Sequence, residues 1–150
     1  MSPGQTVHAS AALIGEAGVL IRGPSGSGKS ALLMSLLAGD AVATALVADD
    51  RVVLAAAHGR LLASVPDGIA GLMEVRGEGV IRRPWVSPVV VDLVVDLAPA
   101  EACPRLPLTD EDQRVAVAGV SLPRLFIPLG AVDGALRVNA ALDRVRREKQ

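Results

Sequence analysis

The run Gly23-Pro24-Ser25-Gly26-Ser27-Gly28-Lys29-Ser30 satisfies every fixed position of the phosphate-binding pattern G-x-x-x-x-G-K-[ST]. Its glycines let backbone N–H groups turn inward around phosphate oxygens, and the N-terminus of a following helix adds the positive end of its dipole. In such a loop Lys29 reaches the β- and γ-phosphates and Ser30 ligates magnesium. The chain contains 13 arginines and only two lysines, so a lysine at this position is not a product of composition. Twenty residues beyond Lys29 stands the acidic pair Asp49-Asp50. Two adjacent carboxylates allow a division of labour, with metal binding by one and proton transfer by the other. The competing reading is a solvated turn. His8 precedes the loop by fifteen residues, on a strand expected to pair with Val19–Arg22, and on spacing alone reads as structural. Glu74 and Arg76 introduce Gly77-Glu78-Gly79, which by itself reads as a loop carrying both signs of charge.

The elements that must position these groups follow from periodicity and punctuation. Val7–Ile14 reads as a strand, Glu16-Ala17-Gly18 as the turn after it, and Val19–Arg22 as a second strand running into the glycine-rich loop. Lys29–Ala38 has helix formers throughout and is closed by Gly39. Thr44–Ala48 reads as a buried strand beside the loop's strand, which puts Asp49 and Asp50 at its C-terminal end, where parallel sheets face their ligands. Arg51–Ala57 and Arg60–Val65 form a hairpin turning at His58-Gly59. Pro66–Pro88 reads as loop and Val89–Leu97 as an interior strand. Pro99–Asp112 reads as a connection, with short strands at Val115–Ala118 and Leu125–Leu129. Ala135–Lys149 places Leu136, Val138, Ala141, Leu142 and Val145 on a helical stripe above a basic C-terminus. The fold class is therefore α/β: a P-loop core with antiparallel additions.

Length and composition set the limits. The chain has 150 residues, which suits a single domain, and its 15 basic and 16 acidic residues leave a net charge of −1. Half the residues are apolar, but Trp85 and Phe126 are the only aromatics. That shortage argues against base-stacking nucleic-acid modules, and the neutral charge offers no footprint for nucleic acid or an acidic membrane. Cys103 is the single cysteine, which excludes a disulfide framework and fits a reducing cytoplasm. There is no signal-peptide pattern at the N-terminus and no apolar run of membrane-spanning length, so cytoplasmic localisation is expected.

Taken together, His8, the P-loop, Val47-Ala48-Asp49-Asp50 and Glu74-Val75-Arg76-Gly77-Glu78-Gly79-Val80-Ile81 resemble the HPr kinase/phosphorylase family, over a stretch from about Val7 to Leu129. The resemblance implies one catalytic domain over residues 1–150, with a fold related to phosphoenolpyruvate carboxykinase and the short form found in alphaproteobacteria. It also implies transfer of phosphate from ATP, with Mg2+, to a serine of the phosphocarrier protein HPr, and reversal with inorganic phosphate. By it His8 matches an active-site histidine and Asp50 the general base, with Ser30 and Glu74 as magnesium ligands beside Asp49. Met73–Arg82 matches the signature needed for both directions, and Arg105 in Pro104-Arg105-Leu106 matches a later active-site arginine. Long members of the family assemble into hexamers; here Val89–Val95 or the terminal helix could serve an interface, or simply core and solvated face.

The sequence departs from the family at Ala31, where glutamate often follows the P-loop serine. It departs again at Leu129–Gly134, which lacks the basic residue linked to dephosphorylation. The kinase direction is therefore better supported than the phosphorylase direction. Two alternatives remain open on residues alone. One is a P-loop small-molecule kinase with Arg76, Arg82 and Arg83 in a lid. The other is a nucleotide-gated module that binds its partner without phosphorylating it. A GTPase would want an Asn-Lys-x-Asp element, and neither lysine is placed for one.

Overall fold

The computed structural model describes residues 4–39, 42–106 and 109–149, so Pro107 and Leu108 of the expected connection lie outside it. Its chain begins with two strands in line, β1 (Gln5–His8) and β2 (Ser10–Ile14), creased at Ala9. A turn at Gly15-Glu16, earlier than the sequence suggested, leads into β3 (Ala17–Arg22). The P-loop then runs directly into α1 (Lys29–Leu37), which Gly39 closes with an N–H bond to the Leu36 carbonyl. Next come β4 (Thr44–Ala48) and β5 (Arg51–Ala57), again two strands in line, here creased at Asp49-Asp50. The β5–β6 hairpin (β6, Arg60–Ser64) turns through His58 and Gly59, both at positive φ as a two-residue hairpin turn requires.

The two creased segments run antiparallel along their whole length, from Ile14 opposite Thr44 to Gln5 opposite Leu54. A long strand β9 (Val89–Ala98) lies parallel to β3 on one edge and antiparallel to β6 on the other. The sheet therefore curls back on itself: β3 meets β2, β2 continues as β1, β1 meets β5, and β6 returns through β9 to β3. The inside of the curl is filled by Leu20, Val47, Leu61, Val91, Val94 and their small neighbours Ala9 and Ala11. The other face packs against the helices through Val19, Ile21, Leu46, Leu93 and Val95.

Beyond β9 the chain makes a 3-10 turn (Ala100–Ala102), a short α2 (Asp110–Gln113), and the hairpin β10 (Arg114–Val117) and β11 (Val120–Pro128). β11 extends the sheet parallel to the C-terminal half of β9. The last helix, α3 (Gly134–Glu148), buries Val138, Ala141, Leu142 and Val145. Each of the larger three contributes about 1.5–3 kcal/mol on leaving water. Leu136, expected on that stripe, is 73% exposed; it sits two residues before Val138, about 200° around the helix.

Three other expectations need correction. β4 is not beside the P-loop strand: β2 lies between them, antiparallel to both, so β3 and β4 point the same way one strand apart. His8 does not pair with β3; it stands in β1 opposite Arg51. The span Pro66–Pro88 is not all loop, because β7 (Leu72–Val75) and β8 (Gly79–Arg82) form a two-stranded hairpin. Met73, 1% exposed, pins that hairpin into the helix-side core. In Val89–Val95, for which an interface was one reading, Val89, Val91, Leu93, Val94 and Val95 are core. Among the described residues no helix is long and apolar enough to cross a membrane.

Candidate active site

The P-loop is built where the fold forces the backbone into conformations only glycine tolerates well. Gly26 has φ 77° and Gly28 φ 98°, the latter capping α1 so that the first free N–H groups of the helix face the loop. Gly23 is required for a different reason: a Cβ there would lie 2.6 Å from Ser27 Oγ and 2.9 Å from Leu97 Cβ. Lys29 is buried, and its Nζ donates to the carbonyls of Gly23 (2.8 Å) and Pro24 (3.0 Å), which holds the ammonium under the loop. Ser27 Oγ is buried with no hydrogen-bond partner among the described residues.

Asp49 and Asp50 occupy the crease between β4 and β5, and they point into different surroundings. Asp49 is 8% exposed; its Oδ1 accepts the hydroxyls of Ser30 (2.8 Å) and Ser10 (3.0 Å), and its Oδ2 faces the Glu74 backbone N–H at 3.4 Å. Asp50 is turned outward, with a side chain 63% exposed, and its Oδ1 lies 2.5 Å from His8 Nε2. The geometry behind this is local: Asp50 has φ 69°, and the Arg51 N–H reaches back to the Asp49 carbonyl at 2.8 Å. An i→i+2 bond around a positive φ is the rarer, strained form of γ-turn. The crease opposite supplies the restraints, since Ala9 N–H donates to the Asp50 carbonyl at 3.2 Å and Asp50 N–H donates to Ser10 Oγ at 3.1 Å.

The structure therefore brings together His8, Lys29, Ser30, Asp49 and Asp50. Glu74 joins them through its backbone on β7, with its side chain exposed. Arg105 lies exposed between the 3-10 turn and Leu106, and no hydrogen bond or ion pair links it to the cluster among the described residues. No three His, Cys, Asp or Glu residues converge as a self-sufficient metal cage among the described residues. Magnesium, however, binds through one or two protein oxygens together with phosphate oxygens and water, and Ser30 Oγ with Asp49 Oδ1 provides such a pair.

Two features escaped the sequence. Beside the P-loop a cleft of about 500 Å³ opens between Gly26–Gly28, Leu32, Leu97 and the β11–α3 loop, of a size that suits a nucleoside. Near the C-terminal end of β9, Asp96 takes two bonds from Arg22 (2.8 and 2.9 Å) and one from Arg124 (2.8 Å), and Arg124 stacks 4.4 Å over Phe126. Burial works to raise the Asp96 carboxyl, but the two guanidiniums outweigh it and hold it below its ordinary 3.8. Arg, Asp and Arg on three neighbouring strands give no signal until the strand order is known.

The chain resembles known proteins along nearly its whole length. Residues 1–149 match the HPr Serine kinase C-terminal domain. It is 33% identical over 140 residues to the HPr kinase/phosphorylase of Geobacillus thermodenitrificans (strain NG80-2), covering 86% of this chain and 44% of that protein. The HPr kinase/phosphorylase of Geobacillus kaustophilus (strain HTA426) is likewise 33% identical over 140 residues, covering 86% and 43%. The chain thus spans under half the length of these relatives. The solved Hpr(Ser) kinase/phosphatase from Coxiella burnetii superposes with a TM-score of 0.81 at 27% identity, covering 97% of this chain and 98% of that one. The β1–β2 crease that carries His8, the P-loop and the Asp49-Asp50 crease all fall inside the matched span, and the chain belongs to the HPr serine kinase family through its C-terminal domain.

Proposed function

We propose that the chain transfers the γ-phosphoryl group of ATP to a serine hydroxyl of an HPr-type phosphocarrier protein, in the cytoplasm where that donor and acceptor meet. The observation that carries this reading is the divergence of Asp49 and Asp50. Asp49 is buried and bonded to the P-loop serine, whereas its neighbour is exposed and paired with a histidine. Two carboxylates placed in contrasting environments are the arrangement that divides metal binding from proton transfer.

In this reading the P-loop N–H groups and Lys29 hold the β- and γ-phosphates, and a phosphate oxygen supplies the partner that Ser27 Oγ lacks. Ser30 and Asp49, with Glu74 beside them, would hold Mg2+, which supplies neutralisation of phosphate charge. Asp50 accepts the proton of the attacking serine as the new O–P bond forms and the bond to ADP breaks. His8 fixes the direction of the Asp50 carboxylate through Oδ1, which leaves Oδ2 to take the serine proton. Arg105 is exposed and can meet the acceptor protein only from the surface. The reading is limited to the kinase direction, because the β11–α3 loop at the cleft presents Leu129, Ala131 and Val132, and Asp133 is already paired with Arg137.

The test is transfer of labelled γ-phosphate from ATP with Mg2+ to purified HPr, followed by mapping of the modified residue. Asp50→Asn is expected to lower kcat about 100- to 10,000-fold, with the Kd for Mg-ATP within about threefold of wild type. Undiminished transfer by Asp50→Asn removes Asp50 from the chemistry. Wild-type protein that binds ATP but never labels an HPr serine removes the kinase reading.

A further inference from the structure

We infer that Ser10 is a positioning residue that holds both aspartates in their working orientations. The inference rests on the kinase reading above but begins from packing. Ser10 is 0% exposed and sits among Ala9, Ala11 and Ala12, all equally buried, where a hydroxyl is costly unless it is bonded. Its bonds admit only one arrangement. The Asp49 carboxylate can only accept and the Asp50 N–H can only donate, so the hydroxyl proton goes to Asp49 Oδ1 (3.0 Å) and a lone pair takes the Asp50 N–H (3.1 Å).

One side chain thus ties together the two residues to which the mechanism gives separate roles. It matters most at Asp50, whose φ of 69° is a conformation that a non-glycine residue leaves unless its surroundings fix it. The Asp50 carbonyl is held by the Ala9 N–H and its own N–H by Ser10, so β1 and β2 grip the turn on both sides of their crease. Without the Ser10 hydroxyl the turn loses one of its two cross-strand restraints, and the Asp50 carboxylate loses its fixed distance from His8. Ser30 still reaches Asp49, and Lys29 still lies under the P-loop, because neither depends on Ser10. The expected defect is therefore in turnover rather than in nucleotide binding.

The experiment compares Ser10→Ala and Ser10→Thr with wild type, measuring kcat, KM for ATP, and amide exchange at Asp50 in the 15N-labelled full chain. Ser10→Ala should lower kcat about 10- to 100-fold while KM for ATP moves less than about threefold. Ser10→Thr keeps the oxygen and should recover most of the loss. The Asp50 amide should exchange at least about tenfold faster in Ser10→Ala, with Val47 unchanged. Should Ser10→Ala not fold, Ser10→Cys, similar in size and a weak hydrogen-bond former, should show the same fall in kcat. A kcat within twofold of wild type in either hydroxyl-lacking variant overturns the inference. So does unchanged protection of the Asp50 amide. If wild type labels no HPr, the kinase reading falls, and the exchange measurement alone decides whether Ser10 holds the turn.

Discussion

Asp49 and Asp50 have the same side chain and adjoin in sequence, yet a change in backbone direction puts one under the P-loop and the other in solvent. The pair and its distance from Lys29 are legible in the sequence, because acidic residues at the end of an apolar strand are a recognisable pattern. The γ-turn is not legible, since it depends on partners some forty residues earlier, at Ala9 and Ser10. His8 likewise reads as structural on its own strand, and its carboxylate partner emerges only when the crease sets it against Asp50. The P-loop lysine needs no such context. Lys29→Met should reduce phosphotransfer at least about 100-fold. Its melting temperature should stay near that of wild type, because the lost bonds run to two loop carbonyls rather than to core.

At the level of elements, the strand–loop–helix unit of β3 and α1 was legible apart from the first two residues of β3, and the β7–β8 hairpin was not. Four-residue strands broken by Glu74 and Arg76, and entered through Gly79, carry too little alternation to be told from loop. What makes that segment a hairpin is the burial of Met73 beneath α1's side of the sheet, a tertiary fact. The cleft beside the P-loop has a specific consequence for the phosphate donor. Its walls are glycine, alanine, leucine, isoleucine, valine and proline, and among the described residues Ser27 and Ser35 are its only polar side chains. A base held by apolar contact is chosen by shape, which discriminates weakly between molecules of similar size. ATP and GTP should therefore differ by no more than about tenfold in kcat/KM, measured as phosphotransfer with each donor. A larger preference would mean that backbone groups of the β11–α3 loop read the base edge.

At the scale of the molecule, the α/β class could be read from the sequence, but the closure of the sheet could not. Strand order is set by which apolar faces meet, and β9 serves three neighbours at once. The Asp96 cluster secures the ligand end of that junction, joining β3, β9 and β11 through Arg22 and Arg124. Because the folded state holds Asp96 below its ordinary 3.8, its contribution is present above that pH and is lost as pH falls through the lower folded value. Asp96→Asn should cost about 2 kcal/mol at neutral pH, and the gap to wild type should narrow below about pH 4, in urea melts taken across that range.

The two creases carry a consequence for the order in which competence is gained and lost. The P-loop and its flanking strand and helix are encoded locally, within residues 17–37, whereas the His8–Asp50 contact, to which we assign proton transfer, exists only when residues 8–10 meet residues 49–51. Contacts so far apart along the chain form late and open early. In mild denaturant phosphotransfer should fade before nucleotide binding does, so a partly frayed molecule sequesters ATP without consuming it.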